Sequence, residues 1–297
     1  MARAHEDTEA GPNPPATASG RGPRRRRGGR GLLAVALCLV ITGCGSAGTS
    51  RRASTATTTP TTIPATPPQP SEQCGAPATR ATSFWLAGPD RARLQAATLG
   101  TGPDAAVFVH ESGNQGLCGF WPYAAWLVQT RHVRAVLFDQ CGYGASVCQG
   151  GPATDGDKWV AATKAAVAWA RDHGVRRVTL VGASVGGIAV LHAAASVRPR
   201  VDAVVDLSGE LSAAGMDSLP AARRLELPAL FAVAPDDPYV SVAKMRRVYE
   251  ATSARPRRLV VLPDGSGHGW DMLTGTAGSQ WSPLASTVAA WVQGRYR

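Results

Sequence analysis

The sequence predicts an α/β fold in which a mostly parallel sheet is covered by helices on both faces. From about residue 74 to the C-terminus, short apolar runs alternate with longer stretches of mixed polarity. The runs are apolar at nearly every position, which is typical of strands buried on both faces of a parallel sheet. The predicted strands occupy residues 93–98, 105–110, 133–139, 178–182, 201–207, 230–235 and 259–263.

Helices are predicted between these strands. In residues 157–173, Trp159, Ala162, Ala166 and Trp169 recur at helical spacing and therefore fall on one face. Strands that alternate with such stretches indicate βαβ units and a parallel sheet. The predicted helices cover residues 121–131, 157–173, 186–196, 241–253 and 283–293.

The composition allows one sizeable globular domain and gives no sign of a nucleic-acid-binding surface. The chain has 297 residues, and 44% of them are hydrophobic, which is enough for a packed core. The formal net charge is +10, but no run of basic residues is interleaved with aromatic ones. We therefore expect no nucleic-acid partner.

The first 43 residues have the features of an export signal. Arginines at 24–30 precede an apolar stretch at 31–42, which is shorter than the roughly 20 residues that span a bilayer. The stretch ends in Ile41-Thr42-Gly43-Cys44, which resembles the bacterial lipobox. That resemblance implies that Cys44 carries a lipid and becomes the mature N-terminus; a plain secretory signal is the alternative.

Three segments follow from this pattern. Residues 1–43 are predicted to be a lipoprotein signal peptide, and residues 44–73, which are rich in Ser, Thr and Pro, a disordered tether. Residues 74–297 are predicted to form the folded domain. The expected location is the extracytoplasmic face of the cell membrane, where the lipid anchors the protein.

Four cysteines remain after the signal and the lipidation site: Cys74, Cys118, Cys141 and Cys148. An even number of cysteines in an exported domain favours two disulfides, for which three connectivities exist. Cys118 and Cys141 follow strands that are expected to be neighbours, which favours that pair and leaves Cys74 with Cys148. No Cys or His spacing indicates a metal site.

A G-x-S-x-G motif at residues 182–186 centres on Ser184. It lies between the apolar run 178–182 and the helical stretch that begins at 186. This strand-turn-helix context is the one in which a serine nucleophile is held in a tight turn with its hydroxyl exposed. Small flanking residues are needed because side chains there would collide with neighbouring backbone.

The motif around Ser184 is similar to the nucleophile elbow of the α/β-hydrolase superfamily, and the segment from Ala105 to the C-terminus resembles that superfamily. VFVHESG resembles the third strand and oxyanion loop, and VRAVLFDQCGYGAS the fourth strand and its turn. LFAVAPDDPYV and LPDGSGHGWDML resemble the loops that carry the acid and the histidine. The resemblance implies an α/β-hydrolase fold with little or no lid, and a triad in the order Ser, Asp, His.

Ser184, Asp237 and His268 are the predicted catalytic residues. Of the six histidines, only His268 follows a late strand on a glycine-flanked loop. Asp236 and Asp237 both follow the strand before it, and the Asp-x-x-Val spacing of the family favours Asp237. Asp206 and Glu210 are a remoter alternative.

The oxyanion hole is predicted to use the backbone N–H groups of Val185 and Ser112. Glu111 departs from the family pattern, in which glycine is commoner at this position. It could pair with His110, alter substrate preference, or lie at a solvent-facing rim. The region of residues 118–121 and Trp270 is expected to line an open site.

The resemblance implies a serine hydrolase that acts through an acyl-enzyme on Ser184, with a small or medium acyl ester as substrate and no cofactor. Acyl transfer to an alcohol other than water uses the same triad, and the fold also supports action on amide or other bonds. A non-catalytic surface lipoprotein is the third alternative.

The lipobox predicts that Cys44→Ala abolishes membrane retention and leaves the folded domain intact. A fatty-acid analogue supplied during growth should label the wild-type protein and not the variant, because the thiol is the lipid acceptor. Equal labelling of both proteins would contradict the assignment of Cys44.

Overall fold

The computed structural model describes residues 64–75, 80–149, 154–275 and 280–297. The predicted signal peptide, Cys44 and the tether up to residue 63 lie outside these residues. Within them, no helix is both long enough and apolar enough to cross a membrane.

An eight-stranded sheet forms the centre of the domain, in the order β1-β2-β4-β3-β5-β6-β9-β10. β1 pairs antiparallel with β2, and β2 antiparallel with β4, whereas all other neighbours are parallel. A separate two-stranded ribbon joins β7 to β8. The strands are β1 (Ala81–Ala87), β2 (Arg93–Leu99), β3 (Asp104–Val109), β4 (Arg134–Phe138), β5 (Arg177–Ala183), β6 (Ala203–Leu207), β7 (Ser212–Ala213), β8 (Met216–Asp217), β9 (Ala229–Val233) and β10 (Arg257–Val261).

Helices pack on both faces of the sheet. The apolar residues of α3, α4, α5 and α6 belong to one core, and those of α2 and α7 belong to the other. The helices are α1 (Pro70–Gln73), α2 (Trp121–Arg131), α3 (Gly156–Asp172), α4 (Val185–Ser196), α5 (Ser218–Arg223), α6 (Val242–Ala251) and α7 (Pro283–Val292).

The alternation of side chains along β3 explains why its sequence is apolar throughout. Val107 and Val109 enter one core, while Ala106 and Phe108 enter the other, and all four are buried. A strand covered on both faces has no solvent-facing position where a polar residue would be favoured. The predicted fold class is therefore confirmed, and all seven predicted strands and five predicted helices are present.

The predicted tether runs to residue 73, and the structure places the last part of this segment, from Pro64, against strand β1. The Trp85 indole N–H donates to the carbonyl oxygen of Pro64 (2.9 Å), and the Ser83 hydroxyl donates to that of Pro68 (3.2 Å). The short helix α1 follows directly. Ordered contacts therefore extend back from Cys74 to Pro64.

The two disulfides join Cys74 to Cys118 and Cys141 to Cys148. The predicted pairing of Cys118 with Cys141 and of Cys74 with Cys148 is wrong. Cys141 and Cys148 pack with the core on one face of the sheet, whereas Cys74 and Cys118 pack with the core on the other. Neighbouring strands do end beside each other, but the chain beyond β3 crosses to the opposite face before it reaches Cys118.

Candidate active site

Ser184 lies in a sharp turn between the end of β5 and the start of α4. Its backbone has φ 53° and ψ −122°, a left-handed conformation that is strained for a residue with a side chain. The Ser184 N–H donates to the carbonyl oxygen of Leu207 at the end of β6 (2.9 Å). The neighbouring strand therefore holds the turn in this conformation.

Two glycines allow the turn to be this tight. A Cβ atom on Gly182 would lie 2.2 Å from the carbonyl oxygen of Gly186, inside any allowed contact distance. A Cβ atom on Gly186 would lie 2.2 Å from the carbonyl oxygen of Val109, at the end of β3. The conformation of Ser184 and its contact with β3 both depend on these positions lacking side chains.

His268 is paired with Asp237. Its Nδ1 atom lies 2.8 Å from Asp237 Oδ2, and the side chain of Asp237 is fully buried. The other oxygen, Oδ1, accepts hydrogen bonds from the N–H groups of Tyr239 (2.9 Å) and Val240 (3.0 Å). Because a carboxylate only accepts, Nδ1 carries the proton and Nε2 is left as the basic atom.

Asp236, the competing acid, points elsewhere. It is exposed, and its Oδ2 accepts a hydrogen bond from the N–H of Gly265 (2.9 Å). Asp206, the remoter alternative, is buried and accepts from the N–H of Gly209 (2.7 Å), so it holds the turn after β6. Of these acids, the structure brings Asp237 to His268.

The loop that carries His268 crosses directly beside the nucleophile turn. A Cβ atom on Gly269 would lie 3.2 Å from the Cβ of Ala183, the residue before Ser184. It would also lie 2.1 Å from Glu111 Oε2, and the backbone φ of 56° at Gly269 is one that residues with side chains rarely adopt, so both the conformation and the space favour glycine. The ring of Tyr239 covers His268 from the outside, with 4.7 Å between ring centroids.

The pairing of Asp237 with His268 shifts the pKa values of the two groups in opposite directions. Burial alone would raise the pKa of Asp237, but hydrogen bonds from His268, Ser208 and two backbone N–H groups outweigh it and lower that pKa. Burial alone would lower the pKa of His268, but the hydrogen bond and charge of Asp237, with the charges of Glu111 and Glu210, raise it. Asp237 therefore remains ionised, and the site favours the imidazolium.

His110 anchors the loop that follows β3. It is buried; its Nδ1 donates to the carbonyl oxygen of Glu111 (2.7 Å), and its Nε2 accepts from the N–H of Gln140 (3.0 Å). Burial lowers its pKa to about 4, so the ring is neutral at physiological pH. The suggested pairing of the Glu111 carboxylate with His110 does not occur, because the ring bonds to the backbone of Glu111.

The predicted oxyanion donors lie on segments that the contact at Gly186 brings together. Val185 is the first residue of α4, where an N–H has no acceptor within the helix. Ser112 is exposed on the loop after His110, and Gly186 packs against the carbonyl oxygens of Val109 and His110. The participation of Ser112 in an oxyanion hole stays a prediction.

The carboxylate of Glu111 lies among the groups of the site rather than at a solvent-facing rim. Burial raises its pKa to about 7, opposed by the charge of His268 and by a hydrogen bond from the N–H of Trp270. The departure from glycine was visible in the sequence, but the direction of the side chain was not. No sequence pattern indicates Ser208, which contributes to the lowered pKa of Asp237.

A buried carboxylate also supports the loop after β3. Asp139, in the turn after β4, accepts a hydrogen bond from the N–H of Leu117 (2.6 Å). Burial raises its pKa to about 7. Across the described ranges, no group of three or more His, Cys, Asp or Glu side chains is arranged to hold a metal ion.

Comparisons with known proteins agree with this architecture. The sequence model of the Dienelactone hydrolase family matches residues 148–273, which include Ser184, Asp237 and His268. A search of the curated proteins found no match.

Several solved structures share the fold at low sequence identity. The Pyrococcus furiosus esterase Pf2001 superimposes with a TM-score of 0.64 and 13% identity, covering 78% of this chain and 97% of that one. The dienelactone hydrolase of Anabaena variabilis gives a TM-score of 0.57 and 20% identity, covering 73% and 99%. Est1E of Butyrivibrio proteoclasticus, with bound ferulic acid, gives 0.55 and 17%, covering 71% and 96%.

These matches, together with the tight turn at Ser184, the sheet order and the order of the acid and histidine loops, show that the chain has the α/β-hydrolase fold, and residues 148–273 resemble the dienelactone hydrolase family.

Proposed function

We propose that the chain is a serine esterase that cleaves carboxylic esters through an acyl-enzyme on Ser184. One observation carries the proposal: His268 Nδ1 lies 2.8 Å from Asp237 Oδ2. The loop that carries His268 packs, through Gly269, against the turn that holds Ser184. A serine hydroxyl is a weak nucleophile unless a base removes its proton, and this pair supplies an oriented base.

In the first half-reaction, His268 Nε2 accepts the Ser184 hydroxyl proton as Oγ attacks the ester carbonyl carbon. The resulting oxyanion receives hydrogen bonds from the N–H of Val185 and, by prediction, that of Ser112. The imidazolium then gives its proton to the ester oxygen, the C–O bond breaks, and the alcohol leaves.

In the second half-reaction, water takes the place of the alcohol. His268 removes a proton from the water, the hydroxide attacks the acyl carbon, and the proton returns to Ser184 as the acid leaves. Asp237 keeps its charge throughout, because its hydrogen bonds stabilise the carboxylate form and so lower its pKa. This charge stabilises the imidazolium that forms in both half-reactions.

We further propose that the enzyme works at the extracytoplasmic face of the membrane, held by a lipid on Cys44. The lipobox-like sequence before Cys44 supports this location, as does the Ser, Thr and Pro-rich segment that separates it from the folded domain. Disulfides Cys74–Cys118 and Cys141–Cys148 suit an oxidising compartment.

The neighbouring acids provide a matched pair of variants for the triad. Asp237→Asn should lower kcat on a p-nitrophenyl ester by about 10⁴-fold, because the imidazole loses the partner that holds its tautomer. Asp236→Asn should leave kcat close to that of the wild type, because Asp236 is exposed and bonds to Gly265. Steady-state kinetics of the two variants make the comparison.

Ser184→Ala and His268→Ala should each abolish turnover, and the double variant should be little slower than either single one. Full esterase activity in Ser184→Ala would refute the serine mechanism and favour a binding lipoprotein. Faster total turnover when an alcohol is added to the wild-type enzyme would favour acyl transfer over hydrolysis.

The pH profile tests the charges around His268. The base must be neutral, so kcat/KM should fall as the pH drops through the raised pKa of His268. Glu111, whose pKa is about 7, carries a negative charge that stabilises the imidazolium when it is ionised; replacing it with Gln removes that charge, lowers the pKa of His268, and moves the acid limb to lower pH. Asp236→Asn is the control and should leave the limb unmoved. An acid limb in Glu111→Gln that stays in place or moves to higher pH would contradict this account.

A further inference from the structure

A groove adjoins the chain segment that directly follows His268. It has a volume of about 360 Å³ and lies between the 3₁₀ turn Gly116–Gly119 and the segment that follows His268. This volume is within the range of small-molecule sites. Its lining includes Gln115, Gly119, Tyr123, Trp270, Asp271 and Trp281.

The walls of the groove are aromatic and held in place. A Cβ atom on Gly119 would lie 2.4 Å from the ring of Trp270, so the chain runs against that ring with no side chain between them. Trp281 packs against Tyr123, with centroids 5.7 Å apart. The Tyr123 hydroxyl donates to the carbonyl oxygen of Ala285 (2.8 Å), which fixes the ring and uses its polar end.

One edge of the groove is covalently fixed. Cys118 lines the groove, and its disulfide to Cys74 ties the 3₁₀ turn to the segment before β1. A wall that does not have to become ordered on binding leaves more of the contact energy for affinity. The groove is therefore preformed on this side.

The position of the groove relative to His268 identifies the part of the substrate that it faces. His268 gives its proton to the leaving alcohol, so that alcohol must lie against the histidine loop. Trp270 and Asp271, which line the groove, belong to the 3₁₀ turn Gly269–Leu273 that begins immediately after His268. The groove wall thus begins two residues beyond His268, and from this we infer that the groove faces the leaving-group side of the scissile bond.

The charges at the groove restrict the ligand further. Asp271 lines the groove, and the Glu111 carboxylate lies at the adjoining contact with Gly269. Burial raises the pKa of both carboxyl groups, that of Glu111 to about 7, so at pH values above these pKa values the pair disfavours an anionic substrate through like-charge repulsion. Tyr123 and Trp270 are buried, whereas the Trp281 indole is half-buried, and its ring favours a planar aromatic group through stacked or edge-to-face contacts.

We propose that this groove binds the alcohol part of the ester, and that the preferred alcohol carries a planar aromatic ring and no negative charge. The inference rests on the proposed esterase function and extends it to a substrate class. Trp281 is then a specificity-determining residue that contacts the leaving group.

The test compares 2-phenylethyl acetate with 2-cyclohexylethyl acetate. Both esters give the same acetyl-enzyme, so any difference in kcat/KM arises before the alcohol leaves. Hydrophobicity alone favours the cyclohexyl ester, whereas an aromatic groove should favour the phenyl ester by roughly 3- to 10-fold. Trp281→Leu should bring this ratio to one or below.

Trp126→Leu is the matched control. Trp126 packs against Trp281, with centroids 5.3 Å apart, but does not line the groove. This variant disturbs the same aromatic cluster and should keep the phenyl preference. A wild-type ratio of one or less, or an equal loss of preference in the two variants, would overturn the inference.

Two further measurements separate this inference from the proposed function. In the wild-type enzyme, 2-phenylethanol should slow labelling of Ser184 by a fluorophosphonate more than 2-cyclohexylethanol does; equal slowing would overturn the groove assignment without a variant.

Methyl 3-phenylpropanoate and methyl 3-cyclohexylpropanoate place the ring on the acyl side. A preference for the phenyl compound that appears only with these two methyl esters, and not with the two acetates, would also overturn the groove assignment. Each of these results leaves the serine mechanism intact, whereas turnover by Ser184→Ala refutes that mechanism.

Discussion

The close contact between the Ser184 turn and the end of β3 determines where the other parts of the site lie. Gly186 packs against the carbonyl oxygens of Val109 and His110 at a distance that no side chain would allow. This contact places the first N–H of α4 beside the loop that carries Glu111 and Ser112. On the other side of the turn, Gly269 brings the histidine loop against Ala183. Two glycines thus join three separate segments of chain around one serine.

The carboxyl groups around the Ser184 turn favour the protonated form of His268. Asp237 bonds to His268 directly, while Glu111 and Glu210 act on it through their charges, and together they raise its pKa. Asp237 can hold its own charge because four hydrogen-bond donors surround it. Glu111 has less support and is partly desolvated, so its pKa rises to about 7. In the proposed mechanism the two carboxyl groups therefore act differently: Asp237 orients His268, and Glu111 raises the pKa of His268 through its charge.

The parts that sequence reasoning predicted are those controlled by local pattern. Apolar runs such as 105–110 indicate strands covered on both faces, and the glycines around Ser184 indicate a tight turn. The family spacing favours Asp237 over Asp236, and the structure gives a physical reason for the difference between them. The two neighbouring side chains face opposite ways: that of Asp237 is buried against His268, and that of Asp236 is exposed.

The parts that the sequence did not predict depend on contacts between distant segments. The disulfide partners follow from which face of the sheet each loop reaches, and Cys118 lies beyond a crossing that no periodicity indicates. The antiparallel strand β1 and the contact of Pro64 with Trp85 lie at the sheet edge, where half-exposed residues weaken the apolar pattern. Ser208, directly after β6, contributes to the lowered pKa of Asp237, which follows β9, and the two loops meet because these strands are neighbours in the sheet.

Trapping the acyl-enzyme tests the central claim most directly. The wild-type protein, mixed with an ester and quenched in acid within the first turnovers, should gain the mass of one acyl group, and peptide mapping should place that group on Ser184. The covalent intermediate is the species that distinguishes nucleophilic catalysis from direct attack by water. Turnover with no acyl adduct, or with the adduct on another residue, would contradict the assignment of Ser184 as the nucleophile.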